Sequence, residues 1–287
     1  MLRAFFTFRT NRTPPIAPNC TDRTSRTIAN PMHDFITVDG ARLEYAWHGP
    51  SPADAPTMVF LHEGLGSVSQ WRRFPAELCS RLGCGGLVYS RYGYGKSDAW
   101  TAPRTTRFMH HEALTVLPRL VDMFGIRRPI IVGHSDGASI ALIYAGSSAG
   151  DPYALILEAP HVFVEDVTVK SIAELRDLYR TSDLRTRLAR HHGTNVDAMF
   201  QYWTDVWLRP EFRAWTIERY LPDVTCPTLI IQGKQDEYGT DRQVNTLLAE
   251  LGGRCESVML ERCGHSPHLD QRATVEDLMI RFVRGLE

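Results

Sequence analysis

The sequence predicts an α/β fold: a mostly parallel, twisted sheet with helices on both faces and a helical insertion late in the chain. Three observations predict it. Short continuous apolar runs (Thr57-Met58-Val59-Phe60-Leu61, Leu87-Val88-Tyr89, Ala154-Leu155-Ile156-Leu157, Thr228-Leu229-Ile230-Ile231) read as strands buried on both faces. Stretches of helical spacing separate them, the βα rhythm of a parallel sheet. In the middle lies Arg128 to Tyr144, where the strand Pro129 to Val132 meets the turn Gly133-His134-Ser135-Asp136-Gly137 and then a small-residue helix from near Ala138.

That turn has the G-x-S-x-G pattern of a nucleophile elbow. Such a serine sits on a strained turn that is accommodated only if neighbours at both ends lack a Cβ, which explains Gly133 and Gly137. Its hydroxyl is pushed clear of the sheet edge. The next residue, Asp136, presents a backbone N–H at a helix N-terminus, where partial positive charge stabilises an oxyanion.

With 287 residues, 43% of them hydrophobic and 23% charged, the chain is long enough for one large core. A formal charge of -1 gives no electrostatic reason to invoke nucleic acid or an anionic membrane surface. No apolar run approaches the roughly 20 residues that span a bilayer. Cysteines at 20, 79, 84, 226, 255 and 263 form no CxxC pair and no zinc-ligand spacing, so no metal is expected and the thiols read as reduced, in a cytoplasmic protein. Residues 1–32 are rich in Arg and Thr, with Asp22 the sole acid, and lack the apolar core of a secretory signal. They read as an unstructured extension, with a transit segment or a start at Met32 as alternatives.

From Asp34 the pattern is a hairpin, Phe35 to Val38 and Arg42 to Trp47 around Asp39-Gly40. The strand at 57–61 runs into His62-Glu63-Gly64-Leu65-Gly66-Ser67 and a helix from about Gln70 to Leu82. The strand at 87–89 runs into Arg91-Tyr92-Gly93-Tyr94-Gly95-Lys96-Ser97-Asp98, followed by a helix from about Phe108 to Phe124. After the strand at 154–157 and Glu158-Ala159-Pro160-His161 the composition shifts. Ile172, Leu175, Leu178 and Tyr179 recur at helical spacing, and Phe200, Tyr202, Trp203, Trp207, Phe212 and Trp215 follow. Residues 161–222 thus read as a helical cap between the core segments 33–160 and 223–287. As a set its aromatics suit an apolar substrate moiety, with Trp203, Trp207 and His161 as pocket candidates, although any one aromatic reads better as fastening cap to core. A helix near 242–251, a strand near 257–260, the loop Gly264-His265-Ser266-Pro267-His268 and a helix over 269–286 complete the chain.

Taken together these motifs resemble the α/β-hydrolase superfamily from about residue 34 to the end. His62 to Gly66 is similar to that family's H-G-x-P-G segment, with Glu63 where Gly is usual; the resemblance implies that the Gly64 N–H joins that of Asp136 in an oxyanion hole. Arg91 stands where the family's D-x-x-G-x-G-x-S loop carries an acid, and reads as structural support. His62 reads as a buried, turn-shaping histidine. An acid past a Gly turn at a strand end is where the family places the third triad member, which implies Asp236, with Glu237 the rival. Gly264 to His268 resembles the catalytic histidine loop, which implies His265 as the base and His268 as a neighbour. The chain order Ser135, Asp236, His265 is that of these hydrolases.

The chemistry that follows is cofactor-independent acyl transfer. Ser135 needs a base to take its proton, and histidine titrates near neutrality. A carboxylate fixes the imidazole tautomer. The expected function is hydrolysis of a carboxylic ester, lactone or related acyl bond of a small, largely apolar substrate. A serine at the elbow argues against the haloalkane dehalogenases and epoxide hydrolases, which in this superfamily use an aspartate there. A carbon–carbon bond hydrolase of the meta-cleavage type and a low-turnover ligand receptor remain as alternatives. Oligomeric state is not legible.

Overall fold

The structure is a computed structural model and describes residues 32–286. The predicted N-terminal extension lies outside the described residues except for Met32, which opens the first strand. Asp39 and Gly40, both at positive φ (53° and 80°), form the expected tight turn, and β1 (Met32–Val38) pairs antiparallel with β2 (Ala41–His48). Then follow β3 (Thr57–Leu61), α1 (Phe74–Leu82), β4 (Gly85–Tyr89), α2 (Phe108–His111) and α3 (Leu117–Met123). The elbow joins β5 (Ile130–His134) to α4 (Asp136–Ala145), and β6 (Ala154–Glu158) comes next. Three helices, α5 (Asp166–Thr181), α6 (Leu184–His192) and α7 (Val196–Trp207), precede β7 (Thr228–Gly233). The chain ends with α8 (Asp241–Glu250), β8 (Cys255–Leu260), α9 (Pro267–Asp270) and α10 (Arg272–Arg284).

The eight strands form one sheet in the order β1-β2-β4-β3-β5-β6-β7-β8. Pairing is parallel from β4 through to β8, and antiparallel only where β2 meets β1 and β4. The apolar strands divide their side chains by alternation. Val59, Leu61, Ile131, Leu155, Leu157 and Ile230 pack with α3, α4 and α8, whereas Met58, Phe60, Val132, Ile156 and Ile231 pack with α1 and α10. Both faces are therefore covered, as an uninterrupted apolar run requires.

Three predicted helices are broken where local pattern is silent. The helix expected from Gln70 starts as a 3-10 turn (Val68–Trp71) and is interrupted at Arg72, φ 54°. The helix expected over 108–124 contains a π-turn, Glu112–Val116, just before Pro118. The last helix divides at Gln271 (φ −135°, ψ 50°) into α9 and α10. The elbow helix starts at Asp136, two residues earlier than the spacing suggests.

The β6–β7 insertion is pinched at its base. Phe163 and Thr216 form an isolated antiparallel bridge, and the Ile217 amide donates to the Val162 carbonyl at 2.8 Å. Phe212 packs edge-on to Trp207 (centroids 5.0 Å apart) and stacks on Trp215 (5.3 Å). His192, neutral because burial lowers it to about 4, accepts from the Gly95 amide and donates to the Leu65 carbonyl. It thereby ties the insertion to the loops that follow β3 and β4. Among the described residues no helix is long and apolar enough to cross a membrane.

Candidate active site

Ser135 itself takes the strained conformation, φ 53° and ψ −115°, at the junction of β5 and α4. Its flanking glycines serve close approach rather than torsional freedom. A Cβ on Gly133 would lie 2.6 Å from the Gly137 carbonyl oxygen, and one on Gly137 would collide with the Leu61 carbonyl. The turn is held by the Ser135 amide donating to the Glu158 carbonyl (2.9 Å), while the Ser135 carbonyl accepts the first bonds of α4 from the Ala138 and Ser139 amides.

Three loops from distant parts of the chain converge on this residue. His265 Nε2 stands 2.8 Å from the Ser135 Oγ, and Nδ1 is 2.9 Å from both carboxylate oxygens of Asp236. With Nδ1–H donating to the carboxylate, Nε2 presents its lone pair to the Ser135 hydroxyl. Asp236 is fixed by Gln232 Nε2 (2.7 Å) and by the amides of Tyr238 and Gly239. Burial works against its charge, but His265 and these donors outweigh it and hold the carboxyl below its ordinary value. Burial likewise disfavours a charged His265; Asp236 overrides it and leaves the imidazole above its ordinary value. Of the two acids considered, the contact falls to Asp236. The Glu237 carbonyl is instead an acceptor for the Ser171 hydroxyl.

The opposite side is built by the loop after β3. His62 is 1% exposed; its Nδ1–H donates to the Glu63 carbonyl and its Nε2 accepts from the Arg91 amide. Arg91 donates to the carbonyls of His62 (2.6 Å) and Glu63 (2.9 Å) and comes within 3.9 Å of Asp136 Oδ2. It fastens the loop to the elbow, in keeping with a supporting role. The amides of Gly64 and Asp136 donate to no described residue, so both are available to an incoming oxygen.

Trp203, Trp207 and His161 all border Ser135, together with Glu63, Ile172 and Tyr238. The hollow they enclose measures about 10 Å³, the room of a single water. The Trp203 indole donates to Asp136 Oδ2 at 3.1 Å and occupies the space that a Cβ on Gly64 would need. Burial lowers His161 to about 4, so it is a neutral imidazole there. Burial raises the Glu63 carboxyl to about 7 against the pull of Arg91.

Several contributing residues carry no signal in the sequence. His134, the variable position of the elbow, donates from Nε2 to the His265 carbonyl at 2.7 Å and so steadies the histidine loop. Glu158, fully buried, accepts from both the amide (3.0 Å) and Nδ1 (2.8 Å) of His268. His268 packs against Trp71 and Phe74, away from the Ser135 hollow. Among the described residues no cluster of His, Cys, Asp or Glu is arranged to hold a metal ion.

Residues 58–278 match the model of the alpha/beta hydrolase family. The chain belongs to that family. Solved structures similar to this alpha/beta hydrolase include a bacterial membrane phospholipase A, at 20% identity, a TM-score of 0.72 and coverage of 91% of this chain and 88% of that one. A putative lipase from Acinetobacter baumannii AYE is similar at 20% identity and TM-score 0.70, over 89% of this chain and 92% of that one. The enol-lactonase of Burkholderia xenovorans LB400 is similar at 20% identity and TM-score 0.67, over 88% of this chain and 100% of that one. At such identities the likeness is one of fold. No curated protein matches the sequence. Membership of the family makes this chain a hydrolase.

Proposed function

We propose that this hydrolase is a serine esterase or lactonase that works through an acyl-enzyme. The observation that carries the reading is the unbroken relay from Ser135 Oγ to His265 Nε2 (2.8 Å) and from His265 Nδ1 to Asp236 (2.9 Å). His265 takes the hydroxyl proton as Ser135 attacks the carbonyl carbon, and Asp236 stabilises the imidazolium that forms. The oxygen of the tetrahedral intermediate is held by the amides of Gly64 and Asp136, each typically worth about 3 kcal/mol of barrier. His265 then returns the proton to the leaving alcohol. Water, deprotonated by the same imidazole, releases the acid.

In this proposal residues 161–222 act as the cap. A hollow of about 10 Å³ admits no ester, so the cap lifts before substrate enters and closes over it to exclude water. The indoles of Trp203 and Trp207 then face an apolar acyl or alcohol group. No cofactor takes part in any step.

The test is labelling by a fluorophosphonate probe, followed by hydrolysis of a p-nitrophenyl ester series. The wild-type chain is expected to label and to prefer short acyl chains, and Ser135→Ala is expected to do neither while keeping its fold. Absence of labelling under conditions that label a control esterase removes the proposal.

A further inference from the structure

One sizeable cavity lies apart from Ser135. It measures about 590 Å³ and lies between the β1–β2 hairpin, the segment after β4 and the start of the α2–α3 rod. That volume suits a small organic ligand. It shares no lining residue with the Ser135 hollow. Arg91, bonded to the loop after β3, forms part of the wall on that side.

Most of the lining is apolar, with Trp100, Phe108, Tyr92 and Leu43 prominent, yet a buried cation stands in it. Arg104 is 4% exposed. Its guanidinium donates to the Tyr94 hydroxyl and lies over the rings of Tyr94 (4.4 Å), Phe108 (5.5 Å) and Trp100 (5.7 Å). Among the described residues it has no carboxylate within ion-pair distance. The carboxyls of Glu112 and Asp136 feel its charge without pairing with it directly, and a buried guanidinium with no direct carboxylate partner is costly, a cost that aromatic faces repay only in part. The acids nearby are engaged elsewhere: Glu112 accepts from the Tyr89 hydroxyl, and Asp39 pairs with Arg119. Two further polar atoms in the same lining, Trp100 Nε1 and His110 Nδ1, are buried without a partner among the described residues. His110 is only 8% exposed. The cavity therefore offers an apolar body, the Arg104 guanidinium with Arg91 and Arg107 also in its walls, and an indole donor.

We propose that this cavity binds an apolar organic acid, a small aromatic or acyl body whose single carboxylate pairs with Arg104. The site is separate from Ser135 and stands whether or not that residue is the nucleophile.

Dansylglycine, a fluorescent aromatic carboxylate, and its neutral amide supply the test. The wild-type chain is expected to bind one dansylglycine, and to bind the amide about tenfold more weakly or worse, the loss of one charge-assisted bond. Arg104→Gln is expected to bind acid and amide alike, and Arg104→Lys to regain part of the preference. Ser135→Ala, and wild type phosphonylated at Ser135, are expected to bind as untreated wild type does. Should Arg104→Gln fail to fold by circular dichroism, Thr115→Trp fills the cavity from its rim and is expected to abolish binding. The proposal is overturned if wild type binds no dansylglycine or does not distinguish it from the amide. It is equally overturned if a folded Arg104→Gln or Thr115→Trp binds as wild type does, or if phosphonylation abolishes binding.

Discussion

The Trp203 indole donates to Asp136 Oδ2 at 3.1 Å while filling the space beside Gly64 that a Cβ there would need. One side chain of the insertion thus touches both residues whose amides are proposed to hold the oxyanion. Burial raises the Asp136 carboxyl, and Arg91 and Trp203 pull it back down. Trp203→Phe leaves that buried oxygen short of a donor and is expected to cost about 1–3 kcal/mol in urea unfolding. Gly64→Ala places a methyl group where the indole sits, and is expected to slow fluorophosphonate labelling at least tenfold by displacing the loop.

Asp236 and Glu237 are adjacent but not equivalent. Asp236→Asn reverses the hydrogen bond at His265 Nδ1 and favours the unproductive tautomer. Labelling of Ser135 is expected to fall by roughly 10³- to 10⁴-fold. Glu237 contributes a carbonyl to Ser171, which Glu237→Gln preserves, so that variant is expected to label within about threefold of wild type.

Glu63 is expected to shape the pH dependence of the site. It borders the Ser135 hollow and a second hollow of about 50 Å³ lined by His62, Arg72, His134, His191 and His268. Arg91, His268 and His265 act on its charge, and its own charge raises His265. Labelling is expected to rise with pH as His265 loses its proton, with a midpoint above the ordinary 6.5. Glu63→Gln removes a negative charge and is expected to move that midpoint down. Stability changes with the opposite sign. The unfolded chain releases the Glu63 proton near 4.5 and the folded chain near 7, so folding weakens as pH rises across that window. The melting temperature of Glu63→Gln relative to wild type is expected to climb between those pH values.

Glu158 at the end of β6 is the acceptor for two donors of His268 and is fully buried. Glu158→Ala strands both donors and is expected to cost about 3 kcal/mol or more in urea unfolding. Glu158→Gln keeps an acceptor and is expected to lose less.

What the sequence reveals and what it hides follow from the range of the interactions. Buried strands, the Asp39-Gly40 turn and the elbow are written in adjacent residues, because pleat, positive φ and close glycine packing are local demands. Ser135, Asp236 and His265 could be nominated because each sits in a short motif, and the fold brings their side chains within hydrogen-bond reach of one another. Arg72, Gln271 and the π-turn were not, since packing against other elements sets those breaks. The contacts of Asp136 with Trp203, of Glu158 with His268 and of His134 with the His265 carbonyl join residues 67, 110 and 131 positions apart. No spacing rule reaches so far. Arg104 likewise looks like any loop arginine until the fold surrounds it with rings.

The bridge between Phe163 and Thr216 draws the two ends of the β6–β7 insertion together where they leave the sheet. A segment attached by so narrow a stem can be lengthened, shortened or exchanged without rethreading a strand. If the insertion caps the site as proposed, selection can reshape what the protein admits while the sheet beneath stays as it is.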